Sequence, residues 1–218
     1  ETTTLVIERN QPVLYSREKT EKFFFHPSMA KSRIHQLNLG QPDALVQAMC
    51  LKQGDYVLDC TLGLASDAIV SAYVIGAKGG IVGLESVPII AFMVHHGLSL
   101  YSRQHKENWK EIFSRVRVHN TNYKNYLKQQ TNNQFDVVYF DPMFSTHIDA
   151  SDSMVPLKVW ANHEQPDQND IAQACRVARR RVVMKSFTYD AILEKLGFQR
   201  IPSKMKVCYG YIDVKGNY

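Results

Sequence analysis

The tetrapeptide Asp141-Pro142-Met143-Phe144 holds the residue types needed to activate a weakly nucleophilic amine. An exocyclic amine on a base or an amide has its lone pair delocalised into the neighbouring π system. The Asp141 carboxylate and the backbone carbonyl of Pro142 form a pair of acceptors that can hold both amine hydrogens. This turns the lone pair toward an electrophile and prepares the nitrogen to become tetrahedral, a positioning effect that can supply several kcal/mol of the barrier. Pro142 fixes the turn, and Phe144 offers a face on which a planar base stacks. Lys185 reads equally as a contact to a phosphate or base oxygen or as a snorkelling surface lysine.

Three earlier segments suit a nucleoside-bearing ligand. Asp59-Cys60-Thr61-Leu62-Gly63-Leu64-Ala65-Ser66-Asp67 reads as a tight turn whose backbone amides face a ligand at a helix start. Thr61, Asp59 and Asp67 add polar groups suited to an ammonium or carboxylate. The turn has one glycine where a dinucleotide-binding turn wants three. Glu85, followed by Ser86, offers a carboxylate to two ribose hydroxyls and repels a 2′-phosphate. Asn122 offers an amide to an adenine edge. Each residue alone also reads as a cap or turn residue; the order of glycine turn, acid and amide is more specific than any one of them.

These residues follow expected strands. Apolar strands are expected at 56–60, 80–85, 115–119, 135–140 and 181–185, alternating with helices at 67–75, 88–100, 125–129, 167–178 and 189–196. Such alternation predicts a parallel, doubly wound α/β sheet, because parallel neighbours need right-handed crossovers. Ligands of such sheets sit beyond the carboxyl ends of the strands. Segments 198–201 and 206–214 read as a closing antiparallel pair. Ahead of the sheet come an N-terminal hairpin (5–9 and 12–16), a helix at 29–37, and a helix at 44–51 capped by Asp43. Residues 1–40 are therefore expected to form an extension and 41–218 the main domain.

The chain has 218 residues, 44% hydrophobic and 22% charged, which suits a globular protein and argues against disorder. The longest apolar run, about 87–94, is too short to span a bilayer, and no secretory leader is visible. Four dispersed cysteines with no CxxC pair read as reduced thiols of a cytoplasmic protein. A net charge of +5 and a pI near 9.0 are compatible with a polyanionic partner. Arg179-Arg180-Arg181 precedes a strand and so is expected on the edge opposite the site. His95 and His96 are helical neighbours that cannot share one face, and no metal site is expected. Lys22, His26, Lys31 and Arg33 around Phe23-Phe24-Phe25 mix cations and rings, a composition able to pack over the cleft and meet RNA.

Together, Asp59 to Ala68, Glu85, Asp141-Pro142-Met143-Phe144 and Val182-Val183-Met184-Lys185 resemble the 16S ribosomal RNA guanine-N2 methyltransferase family, and more closely a Gram-positive branch of SAM-dependent methyltransferases. The resemblance runs from about residue 24 to 196. It implies a class I methyltransferase (Rossmann-like) fold, S-adenosyl-L-methionine as cofactor, and an amine of a small-subunit RNA base as acceptor. It implies cofactor contacts at Asp59, Thr61, Gly63, Asp67, Glu85, Ser86 and Asn122, and a base-facing site at Asp141, Pro142 and Phe144 with Lys185 beside it. The stretch 38–45 resembles the family's glycine-rich segment that lines the cofactor pocket. Two departures stand out: Ala65 replaces the usual second glycine, and Asn122 replaces a frequent Asp. Methylation of a DNA amine or a protein amide, and a SAM-binding assembly factor without catalysis, are the alternative expectations.

Overall fold

The chain opens with three antiparallel strands, β1 (Thr4–Glu8), β2 (Gln11–Tyr15) and β3 (Lys22–Phe24), in a separate small sheet of that order. The computed structural model describes residues 4–8, 11–15, 22–104, 107–143 and 161–214. The expected hairpin thus gains a third strand. Strand alternation explains the aromatic triple: Phe23 and Phe25 turn inward and are buried, while Phe24 lies between them, half-buried, on the other face. Helix α1 (Ser28–Asn38) follows, then α2 (Ala44–Met49), whose first amides at Leu45 and Val46 donate to the Asp43 side chain.

Leu14, Phe23, Phe25, Ala30 and Ile34 belong to the same buried cluster as the main sheet, so the extension shares that core. Gly97 makes this docking possible. A Cβ there would lie 2.2 Å from the Phe25 ring. Gly97→Ala gains helix propensity of about 1 kcal/mol, yet overpacking costs about 1–3 kcal/mol. The expected net is destabilisation, checked by denaturant titration.

The main sheet comprises β4 (Tyr56–Asp59), β5 (Gly80–Glu85), β6 (Val116–Asn120), β7 (Phe135–Phe140), β8 (Ala178–Phe187), β9 (Gln199–Arg200) and β10 (Val207–Asp213). Its order is β6-β5-β4-β7-β8-β10-β9, with β4 to β8 parallel and β10 antiparallel to both neighbours. Inward residues alternate between two faces. Val57, Val137, Tyr139 and Val183 pack on one side with α1, α2, α3 (Ser66–Ile75), α4 (Pro88–Gln104) and α5 (Glu107–Ser114). Leu58, Val138, Phe140, Val182 and Met184 pack on the other with α6 (Tyr123–Gln129), α7 (Gln168–Val177) and α8 (Ile192–Lys195).

Strand direction around β4 decides where ligands bind. The chain moves outward from β4 through β5 to β6, then returns to β7 on the other side of β4. The crevice at this switch point lies beyond Asp59 and Phe140, the last residues of β4 and β7.

Besides shifts of a few residues at other element ends, three elements of the main domain differ from expectation. α5 is an additional short helix, and α8 covers only Ile192–Lys195. β8 starts at Ala178 rather than 181, because the guanidinium groups that disguise its polar beginning are all neutralised: Arg179 by Asp136, Arg180 by Asp55 and Arg181 by Asp213. These arginines lie at the amino end of β8, away from the crevice. Among the described residues, no helix is long and apolar enough to cross a membrane.

Candidate active site

The turn after β4 is held by its backbone amides, which donate to the neighbouring strands and to the Asp59 and Glu85 carboxylates. Cys60 N–H donates to the Tyr139 carbonyl at 2.9 Å, and Leu62 N–H to the Leu84 carbonyl at 2.9 Å, which pins the turn to both neighbouring strands. Thr61 N–H donates to Asp59 Oδ1 at 3.1 Å. Gly63 and Ala65 have φ of 48° and 60°, the left-handed region. Glycine adopts this region without strain at 63; at 65 the fully buried Ala65 methyl is accommodated at a cost of about 1 kcal/mol.

Glu85 closes the turn from the side. Its Oε2 accepts the Gly63 N–H at 3.2 Å and its Oε1 the Val87 N–H at 2.9 Å. Each oxygen keeps a further lone pair, so the carboxylate can still bind a diol. Burial pushes its pKa up, against the pull of the amides of Val87, Gly63 and Ser86. Ser86 and Asn122 are both engaged by the segment entering α7: Asn162 Nδ2 donates to Ser86 Oγ at 3.3 Å, and Asn122 Nδ2 to Glu164 Oε2 at 3.0 Å. The Asn122 side-chain oxygen caps α6 through the Lys124 N–H at 2.8 Å. This cap is the local reason for Asn at 122.

Across the switch point, the Asp141 N–H donates to Thr61 Oγ1 at 2.5 Å, which fixes the start of the Asp-Pro-Met turn against the first loop. Lys185 is largely buried and paired with the acids of the site. Its Nζ donates to Asp141 Oδ2 at 2.7 Å and lies 3.7 Å from Asp67 Oδ2, with its side chain only 24% exposed. Asp141 Oδ1 and the Pro142 carbonyl oxygen carry no hydrogen bond among the described residues. Gln165 Nε2 donates to the Met143 carbonyl at 2.5 Å, holding the turn from outside. Phe144 lies outside the described residues.

Asp67 is the hub of a charge cluster that sequence reasoning only half located. Tyr139 Oη donates to its Oδ2 at 2.8 Å, and Arg33 Nη1 to its Oδ1 at 2.5 Å. Arg33 also grips Asp43 through Nε at 2.8 Å and Nη2 at 2.9 Å. Burial alone would raise the Asp67 pKa; Lys185, Arg33 and the Tyr139 hydroxyl more than offset it and hold it at about 2. Burial and the neighbouring Asp67 push Asp141 the other way, upward, against the pull of Lys185. Lys185 itself, though desolvated, is held above its ordinary value by Asp141 and Asp67. Buried Asp59 is raised well above the usual carboxylate range by desolvation.

Arg33 was legible as a cation near the cleft, but the structure spends it inside the protein. Lys31 likewise lies over the rings of Tyr101 and Trp109, at 4.9 and 5.5 Å. Removing one partner of a largely buried pair typically costs about 3–5 kcal/mol, and less where solvent reaches it. Arg33→Met is therefore expected to destabilise by about 2–3 kcal/mol at pH 7. A depressed carboxylate pKa contributes stability above its unfolded value, near 3.9, and loses it as pH falls through its folded value. The difference between wild type and variant should thus stay constant down to about pH 4 and shrink below it. Urea titrations across that range check both statements.

A family model described as "Putative SAM-dependent methyltransferase" matches residues 2–206. The Bacillus subtilis protein YpiP, itself uncharacterised, is 35% identical over 210 residues, covering 96% of this chain and 81% of its own length. Ribosomal RNA small subunit methyltransferase J from Hydrogenovibrio crunogenus is 28% identical over 159 residues, 71% of this chain and 56% of that protein. Its counterpart from Marinobacter nauticus is 34% identical over 133 residues, 59% of this chain and 46% of that protein. The chain thus spans about half the length of these ribosomal RNA methyltransferases. Among solved structures, a SAM-dependent methyltransferase from Neisseria gonorrhoeae superposes with a TM-score of 0.70 over 99% of this chain and 84% of that one, at 18% identity. That likeness carries the fold: a mostly parallel sheet closed by antiparallel strands, as in class I methyltransferases.

Proposed function

The chain belongs to the SAM-dependent methyltransferase family, and we propose that it methylates an exocyclic amine of a small-subunit ribosomal RNA base, guanine N2 first. The observation that carries this reading is the Asp141 carboxylate at the switch point, tethered through Oδ2 to Lys185, with Oδ1 and the neighbouring Pro142 carbonyl free to accept among the described residues. The similarity to ribosomal RNA methyltransferases supports the choice of RNA. Residues 1–40 serve as an extension to a methyltransferase domain at 41–218, and an RNA substrate of this kind places the enzyme in the cytoplasm.

S-adenosylmethionine, the family's methyl donor, supplies an electrophilic methyl on a sulfonium. The residues present fit it. In the turn 59–67 a left-handed Gly63 leaves room for close approach, while the amides of Cys60, Thr61, Leu62 and Gly63 are donated within the protein and hold the turn's shape. Glu85 takes the ribose hydroxyls, with Ser86 and Asn122 toward the base. Asp67, Thr61 and Asp59 border the methionine end. At the acceptor, Asp141 Oδ1 and the Pro142 carbonyl hold the two amine hydrogens, and Phe144 stacks on the base. Lys185 keeps Asp141 ionised and fixes its rotamer. When the nitrogen becomes tetrahedral its surplus proton passes to Asp141, whose raised pKa suits it as a base.

Comparing the modified nucleosides of small-subunit RNA from cells with and without the gene tests the assignment. Loss of one N-methylated base is expected; an unchanged set of N-methylated nucleosides refutes the RNA reading.

A further inference from the structure

We propose that the catalytic edge carries a docking surface for single-stranded RNA, built from the Phe187–Tyr189 ring stack and the lysines of the loop 202–206. The proposal rests on the reading of the site given above and adds where the strand flanking the target base runs.

Position is the first argument. Lys185 and Phe187 share one face of β8, with buried Ser186 on the other, so the ring stands about 7 Å along the strand from the residue that holds Asp141. Val207 pairs with Phe187 in the antiparallel register, which brings the loop 202–206 to the same edge. The loop is held in place: Thr188 N–H donates to the Lys206 carbonyl at 3.0 Å, Met205 N–H to Ser203 Oγ at 3.1 Å, and Ser203 Oγ to the Val207 carbonyl at 2.8 Å.

Chemistry is the second. The Phe187 and Tyr189 rings stack at 5.2 Å and 9°, with Phe187 half-buried and Tyr189 57% exposed, and Met205 of the loop is 74% exposed. Lys204 and Lys206 are exposed and have no acidic partner among the described residues. The nearby acids are committed elsewhere: Glu194 is gripped by Arg200 at 2.6 and 2.8 Å, and Asp190 accepts the Ile192 N–H at 2.9 Å. An exposed ring backed by a second, beside uncompensated cations, is the pairing that receives unstacked bases and tracks phosphates. A single strand is required because an amine inside a duplex cannot reach a turn at the sheet edge without leaving its stack.

The test titrates the full chain, saturated with S-adenosylhomocysteine, with fluorescent oligouridine over a range of salt. Tyr189→Ala is expected to weaken binding about tenfold, as for loss of one base-stacking ring. Lys204→Ala with Lys206→Ala is expected to lower the log–log salt slope by roughly 1.4, about 0.7 per phosphate contact. In methylation assays on small-subunit RNA, KM for RNA should rise by similar factors while kcat at saturating RNA and S-adenosylhomocysteine affinity hold. Unchanged oligouridine affinity and salt slope overturn the proposal. So does equal, residue-dependent binding of duplex RNA or DNA, and so does a parallel loss of S-adenosylhomocysteine affinity, which would make these residues structural. A wild type that methylates RNA while the variants keep its KM refutes this surface alone; a wild type that methylates no RNA removes the reading beneath it.

Discussion

Asp141→Ala is expected to lower kcat about 10³-fold or more, the scale of removing one preorganised group that acts on the reacting atom. Affinity for S-adenosylhomocysteine should stay within about threefold of wild type, because a loss confined to the transition state leaves ground-state binding intact. The structure supports this separation. The cofactor-facing turn is held by backbone N–H groups of Cys60, Leu62 and Gly63; its direct hydrogen bond with Asp141 among the described residues is the backbone N–H donated to Thr61, which an Ala side chain preserves, and Lys185 keeps Asp67 as a partner in the variant. The pH profile adds a second readout. The active form is the carboxylate, and its pKa is raised, so activity should fall as pH drops through a value above the ordinary 3.9 of Asp. Lys185 pulls that value down; Lys185→Met should therefore move the acid limb to higher pH. Isothermal titration and kcat–pH curves of the three proteins check each point.

Glu85→Ala should fail in the opposite way, at binding. Two charge-assisted hydrogen bonds to the ribose are lost, each worth roughly 1.5–3 kcal/mol when desolvated. Allowing for non-additivity, affinity for S-adenosylhomocysteine should fall about 10²-fold or more. The residue is 8% exposed, and its oxygens also accept the Gly63 and Val87 amides, so the Ala variant loosens the turn as well. Glu85→Gln separates these contributions: it keeps an acceptor for one amide but gives up the charge, and an intermediate loss of about tenfold is expected. If Glu85→Ala binds like wild type, the ribose is not held at the end of β5.

Most of the sheet was legible because its signals are local. Each parallel strand is an apolar run bounded by turn residues, and each crossover helix has its own period. The residues that terminate strands could be named on that basis, and Asp59, Glu85 and Asp141 fall at the carboxyl edge as expected. Long-range pairing was not legible. The ion pair of Lys185 with Asp141 spans 44 residues and that of Arg33 with Asp67 spans 34, and nothing in either local sequence announces a partner. Tyr139 read as one more apolar strand residue, although its hydroxyl serves Asp67. Short elements were missed for the converse reason. β3 has three residues and draws its hydrogen bonds from β2, so its existence depends on a neighbour rather than on its own pattern. The arginines that open β8 read as a polar run until their acidic partners are in view.

Incubating the purified protein with methyl-labelled S-adenosylmethionine and small-subunit ribosomal RNA, then identifying the labelled nucleoside by mass spectrometry, tests the central claim most directly. The account predicts label on an exocyclic nitrogen, N2-methylguanosine first, and none with Asp141→Ala. Label on a ribose oxygen or a ring carbon, or undiminished labelling by Asp141→Ala, would contradict it.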